Sequence, residues 1–225
     1  MSKASVVSSH NSHSSERLGA DLKIIIIGNS ATGKTSIINR YVYSKFDETY
    51  KATIASEFSY KIIERENVTY RLQFWDLAGQ DRGGEVTKIF ARDSHGVILV
   101  SDATNVVSRE DTVLWKKALE GVLSVENVPI VLMENKCDLL GETEEDYNRD
   151  LPILTDFVKK NNIIKGYRTS AKTGFGIEEA MNTLINEMIA LNKNEVQLYQ
   201  STSDIRGSKL SSISNKNSSG KNGCC

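Results

Sequence analysis

Apolar runs of strand length alternate along this chain with stretches in which apolar residues return every three or four positions. The runs predict β-strands at 22–27, 56–65, 69–76, 96–102, 129–135 and 166–170; the periodic stretches predict helices at 34–44, 108–124, 148–160 and 176–191. Strand–helix alternation of this kind buries a mostly parallel sheet between helices on both faces. Glu66-Asn67 has the composition of a hairpin turn, so the strands flanking it form the one antiparallel pair. The expected fold class is therefore α/β: a six-stranded, mostly parallel sheet with one antiparallel strand and helices on both faces. In the last helix Ile177, Ala180, Met181, Leu184, Ile185 and Met188 recur at helical spacing and read as core.

Composition changes this picture only at the ends. The first 20 of 225 residues hold seven serines with His10 and His13, and residues 192–225 turn to Ser, Asn, Lys and Gly. Neither stretch can bury enough apolar surface to fold, which predicts a disordered extension at 1–20, a folded domain at 21–191 and a flexible tail at 192–225. With 28 basic against 29 acidic residues there is no global field to suggest a nucleic-acid partner. The isoleucine run 24–27 is too short to span a bilayer and no signal-peptide core is expected. The three cysteines, Cys137 and the terminal Cys224-Cys225, suggest no disulfide framework and a reducing cytosol.

The chemistry is carried by strand ends. Gly28-Asn29-Ser30-Ala31-Thr32-Gly33-Lys34-Thr35 fits GxxxxGK[ST] directly after the first strand. Such a loop curls its N–H groups around phosphates at a helix N-terminus. Gly28 and the run Ser30, Ala31, Thr32, Gly33, Lys34, Thr35 and Ser36 are the expected phosphate cradle. Lys34 would reach the β- and γ-phosphates and the Thr35 hydroxyl would ligate Mg²⁺. In Trp75-Asp76-Leu77-Ala78-Gly79-Gln80, Asp76 is placed to hold Mg²⁺, the Gly79 N–H to meet the γ-phosphate, and Gln80 to orient an attacking water.

Two further strand ends choose the base. Asn135-Lys136-Cys137-Asp138 places a carboxylate to accept from both the ring N–H and the exocyclic amine of guanine, a donor pair that adenine lacks. A carboxylate left unpaired by the wrong base is costly, which is the source of discrimination. Ser170-Ala171-Lys172 would supply a backbone N–H to the guanine carbonyl and a lysine stem beside the ring.

Together these residues resemble a Ras-superfamily small GTPase, specifically a Rab, over Asp21 to Leu191. The resemblance implies a P-loop NTPase fold and a GTP/GDP switch that hydrolyses GTP, with Mg²⁺ as cofactor. It assigns Thr53 of Thr53-Ile54 to the first switch, closing on Mg²⁺ and the γ-phosphate, and Phe46 to packing against guanine. Phe58, Trp75 and Phe90 match the aromatic positions through which Rabs meet effectors, although simple core packing would account equally for the residues themselves. Cys224-Cys225 resembles a double geranylgeranylation signal, in keeping with the two lipid chains that stable anchoring needs. The implied protein is a monomer that regulates vesicle traffic from the cytoplasmic face of an intracellular membrane, with a cytosolic pool. Its implied partners are an exchange factor, an activating protein, an escort or dissociation inhibitor, and effectors. The WDxAGQ context and Trp115-Lys116 resemble the Rabs of lysosome-related organelles. The chain departs from the Rab pattern at Ala31, Thr32, Ala55 and Gly83-Gly84, which leaves effector identity open. Two alternatives stay in view: a GTP-holding scaffold with negligible hydrolysis, and an ATP-using P-loop kinase.

Overall fold

The computed structural model describes residues 17–49, 52–53, 56–80, 85–123 and 128–192. Six strands form one sheet: β1 (Arg17–Ile27), β2 (Ser56–Arg65), β3 (Val68–Leu77), β4 (Gly96–Asp102), β5 (Ile130–Asn135) and β6 (Lys165–Arg168). Their order is β2-β3-β1-β4-β5-β6. Only the β2–β3 pair is antiparallel, through a turn in which Glu66 and Asn67 have φ of 52° and 61°, the left-handed pair that a tight hairpin requires. The helices are α1 (Lys34–Tyr43), α2 (Glu85–Ala91), α3 (Val106–Leu119), α4 (Glu144–Asn148), α5 (Leu151–Lys160) and α6 (177–192).

The four isoleucines of β1 are all buried because β1 is central and covered on both faces. Ile24 and Ile26 join Leu72, Phe74, Ile98 and Val100 in a core completed by Ile37 of α1 and by Met181, Leu184 and Ile185 of α6. Ile25 and Ile27 face the other way, into a core with Leu99, Leu132, Trp115 and Leu119 of α3, and Leu154 and Val158 of α5. The α6 residues predicted as core are all buried.

Several element boundaries differ from expectation, each for a local reason. β1 begins at Arg17 rather than 22, inside the stretch read as a disordered extension, since its first residues pair with Val68 and Thr69 of β3 across an irregularity between Leu18 and Asp21. Backbone pairing needs no apolar pattern, so periodicity could not reveal it. Asp21 fixes this entry by accepting from Arg71 and from Gln73 at 3.0 Å. The helix expected at 148–160 is two helices, because Pro152 sits in the first turn of α5, where it is tolerated but cannot extend a preceding helix. α3 starts at Val106, capped by Asn105, which accepts from the N–H groups of Val107 and Ser108. It stops at Leu119, not 124, just before Gly121 at φ 85°. The seven-residue α2 was too short to announce itself. Residues 1–16 and 193–225, with Cys224 and Cys225, lie outside the described residues, as do Ile54, Ala55, Gly83 and Gly84. Among the described residues no helix is long and apolar enough to cross a membrane.

Candidate functional site

The strand order reverses at β1, with β3 on one side and β4 on the other, and the carboxyl ends of the parallel strands open there into the crevice where open α/β sheets bind ligands. A cavity of about 750 Å³ occupies it. Ser30, Ala31, Gly33, Lys34, Thr35 and Ser36 line it from the loop between β1 and α1. Phe46, Thr53, Gly79 and Gln80, with Asn135, Lys136, Asp138, Ala171 and Lys172, line the rest. Gly28, Thr32, Asp76 and Ser170 stand behind this wall. Thus the sheet gathers residues from four separated motifs around one space.

Three glycines of the site are required by contact: a Cβ on Gly28 would lie 2.1 Å from the Val100 carbonyl oxygen. A Cβ on Gly33, at φ 91°, would lie 2.3 Å from the Asn135 amide nitrogen, and one on Gly79 would lie 2.4 Å from the Ser30 nitrogen. Ala31 adopts φ 62° without that freedom, a conformation that costs a non-glycine residue about 1–2 kcal/mol.

At one end of the cavity Lys34 is only 5% exposed, and its Nζ donates to the carbonyls of Gly28 at 2.9 Å and Asn29 at 3.0 Å. Burial pushes its pKa down to about 8. The Thr35 hydroxyl donates to Asp76 Oδ2 at 2.5 Å and lies 2.9 Å from the Thr53 hydroxyl, which itself reaches Asp76 Oδ2 at 3.4 Å. Asp76 is 1% exposed, its Oδ1 has no partner, and burial raises its pKa. One orphaned carboxylate oxygen beside two hydroxyls fits Mg²⁺, which binds through few protein oxygens and otherwise through water and substrate phosphates. Among the described residues no cluster of three His, Cys, Asp or Glu side chains offers a richer cation site.

At the other end, the buried Asn135 side chain donates to the Thr32 carbonyl at 2.9 Å and accepts from the Ala171 N–H at 3.0 Å. It therefore ties the phosphate-type loop to the Ser170-Ala171-Lys172 loop. Asp138 Oδ1 accepts from the Ser170 hydroxyl at 2.5 Å, and Lys136 pairs with Asp102 at 2.7 Å. Arg40 of α1 donates to the carbonyls of Ala171 at 2.7 Å and Lys172 at 2.5 Å. Nothing in the sequence marked Arg40 or Asp102, whose roles exist only through tertiary contact.

Away from the cavity, Phe58, Trp75 and Phe90 do meet. Ring centroids are 5.1 Å apart for Phe58–Trp75 and 5.3 Å for Trp75–Phe90. Phe58 is 51% exposed, while Trp75 and Phe90 are half-buried and pack against the core beneath α3, so the cluster joins that core to the surface.

The Ras family profile matches residues 23–190. The chain belongs to the Ras family. Among its relatives, Rab-32C of Dictyostelium discoideum is 36% identical over 193 residues, covering 84% of this chain and 80% of that protein. Mouse Rab-32 is 34% identical over 172 residues, 75% of each. Human Rab-7L1 is 32% identical over 186 residues, 81% of this chain and 89% of that one. The chain is accordingly a Rab-type small GTPase beside the Rab-32 and Rab-7L1 proteins. It binds guanine nucleotide, hydrolyses GTP to GDP and phosphate, and works with regulators and effectors as a switch in membrane traffic.

Proposed function

We propose that the cavity holds the nucleotide with its phosphates at Lys34 and Thr35 and its base at Asp138, so that GTP hydrolysis here times a membrane-bound active state. The observation that carries this reading is that Lys34, Thr35 and Thr53, the last two bonded to the buried Asp76, line the same cavity as Asp138 and Ala171. Thr35, Thr53 and Asp76 would hold Mg²⁺, which would supply positive charge to the phosphate oxygens. Lys34 adds its ammonium from within the loop. Gln80, on the cavity wall one residue beyond the close contact of Gly79 with Ser30, orients the attacking water. Among the described residues no arginine lines the cavity. Unaided turnover is therefore slow, and an activating protein speeds it by supplying an arginine in trans. Retention of Gln80 and Thr53 favours a hydrolysing switch over an inert scaffold. Single-turnover GTP hydrolysis, with ATP as competitor, tests the assignment: ATP competing on equal terms with GTP overturns it.

The buried Lys34 carries a pH signature. Burial brings its pKa down to about 8, and anionic phosphates against Nζ raise it again. Between about pH 8 and 10 the free protein has released a proton that the complex retains, so binding takes up to about one proton there and none through Lys34 well below pH 8. Calorimetry of GDP binding at pH 8.5 in two buffers of different ionisation enthalpy reads this uptake. A binding enthalpy independent of buffer at that pH rules out phosphate contact by Lys34.

Membrane attachment follows from the tail, read from sequence. From Asn192 it carries five basic and two acidic residues, which contribute about 1 kcal/mol per basic residue at an anionic surface, too little for durable binding. Two geranylgeranyl groups on Cys224 and Cys225 supply the rest. Cys224→Ser with Cys225→Ser is expected to move the protein wholly to the soluble fraction with GTP binding intact. A double variant that still sediments with membranes would assign attachment to a protein partner.

A further inference from the structure

Asn29 is not itself one of the residues lining the cavity, yet four hydrogen bonds converge on it. Its side-chain Oδ1 accepts from the indole N–H of Trp115 at 2.9 Å, and its Nδ2 donates to Asp111 Oδ2 at 2.7 Å. Its backbone carbonyl accepts from Lys34 Nζ at 3.0 Å and from the Thr32 hydroxyl at 2.9 Å. Trp115 and Asp111 are one turn apart on α3 and so present one face to the loop. Trp115 is 2% exposed, fixed in the core between β1 and α3. The Asn29 side chain thus has its two polar atoms satisfied by two α3 residues, which fixes its orientation: the amide must donate to Asp111 and the carbonyl must accept from Trp115.

We infer that Asn29 is a positioning residue through which α3 holds the phosphate loop and sets how long nucleotide is retained. The link is short. Moving the Asn29 side chain moves its own carbonyl, on which the Lys34 ammonium rests, and the Ser30 nitrogen that follows it, against which Gly79 is closed. The inference rests on the assignment of Lys34 to the phosphates, and it places the control of that contact on a helix that does not itself line the cavity.

The test exchanges donor and acceptor. Asn29→Asp sets a second carboxylate against Asp111 in place of the donated hydrogen bond, while still accepting from Trp115. Asn29→Asp with Asp111→Asn restores an amide–carboxylate pair in reversed order. Asp111→Asn alone gives the baseline that includes the loss of Asp111's other contacts. The readout is release of a fluorescent GDP from the full-length chain at fixed Mg²⁺, with the unfolding midpoint of the loaded protein measured alongside. Asn29→Asp is expected to speed release about tenfold, equivalent to about 1.4 kcal/mol. In the Asp111→Asn background the same change is expected to do so less than about threefold, the difference being the coupling between the two sites. A purely structural role would shift the midpoint without this rescue. Equal acceleration in both backgrounds, or no acceleration in either, overturns the inference while leaving Lys34 in place. Failure of the unmodified chain to retain GDP overturns the phosphate-site assignment and this inference with it.

Discussion

Asp138→Ala is expected to lower GTP affinity by about 10² to 10⁴-fold while leaving ATP affinity within about threefold. The magnitude comes from two hydrogen bonds to an ionised carboxylate, each worth about 1.5–3 kcal/mol, at 1.4 kcal/mol per factor of ten. The direction comes from adenine, which has no ring N–H and exocyclic amine on the matching edge and therefore never gained those bonds. The structure adds a control. Asp138 Oδ1 already accepts from the Ser170 hydroxyl at 2.5 Å, and the same hydroxyl accepts from the Thr173 N–H at 3.1 Å. Removing the carboxylate therefore also frees the loop that carries Ala171. Ser170→Ala disturbs that loop and keeps the carboxylate, so it is expected to cost GTP no more than about tenfold, the loss of one hydrogen bond. Competition of GTP and ATP against a fluorescent GDP separates the two effects. Parallel losses of GTP and ATP affinity in Asp138→Ala would mean that Asp138 holds the loop and does not choose the base.

The sheet was legible because its strands are buried on both faces. Ile24 to Ile27, Val97 to Val100 and Ile130 to Met133 are uninterrupted apolar runs, which a one-sided strand would not show. The motifs were legible because each sits where such a run ends, and the parallel sheet sends those ends to one edge. What escaped was whatever depends on pairing rather than pattern. The first residues of β1 are held by ladder bonds to β3 and by the Asp21–Arg71 pair, neither of which leaves a periodic trace. Pro152 was present in the sequence, and reading it as a helix start rather than as part of one long helix would have found the break. Asn135 was expected at the nucleotide and does line the cavity, but its side-chain bonds go to Thr32 and Ala171. Its work in the described structure is to hold two loops in register. Arg40 and Asn29 act the same way, as ties between elements far apart in the chain, and no spacing rule reaches over such distances.

Gln80→Leu is expected to slow single-turnover GTP hydrolysis about a hundredfold, the lower end of what a positioned proton-handling group contributes, with GTP and GDP affinities within about threefold of the unmodified chain. Leucine keeps the bulk of the side chain and removes the amide that can accept from a water and donate to developing charge. Affinity survives because Gln80 is exposed at the wall while Lys34 and Thr35 are anchored within the loop by carbonyl and carboxylate partners that the change does not touch. Gly79 must be read separately. Its Cα already lies so close to the loop that a Cβ would meet Ser30, so substitution there would displace the loop and lower binding as well as turnover. Measuring both constants for Gln80→Leu therefore distinguishes a chemical role from a positional one. If turnover falls and affinity falls with it, Gln80 braces the loop; if turnover is unchanged with and without an activating protein, the water is oriented by another group and the assignment of Gln80 is lost. Retained affinity with slowed turnover, and an activating protein that cannot restore the rate, is the outcome that its place on the cavity wall predicts.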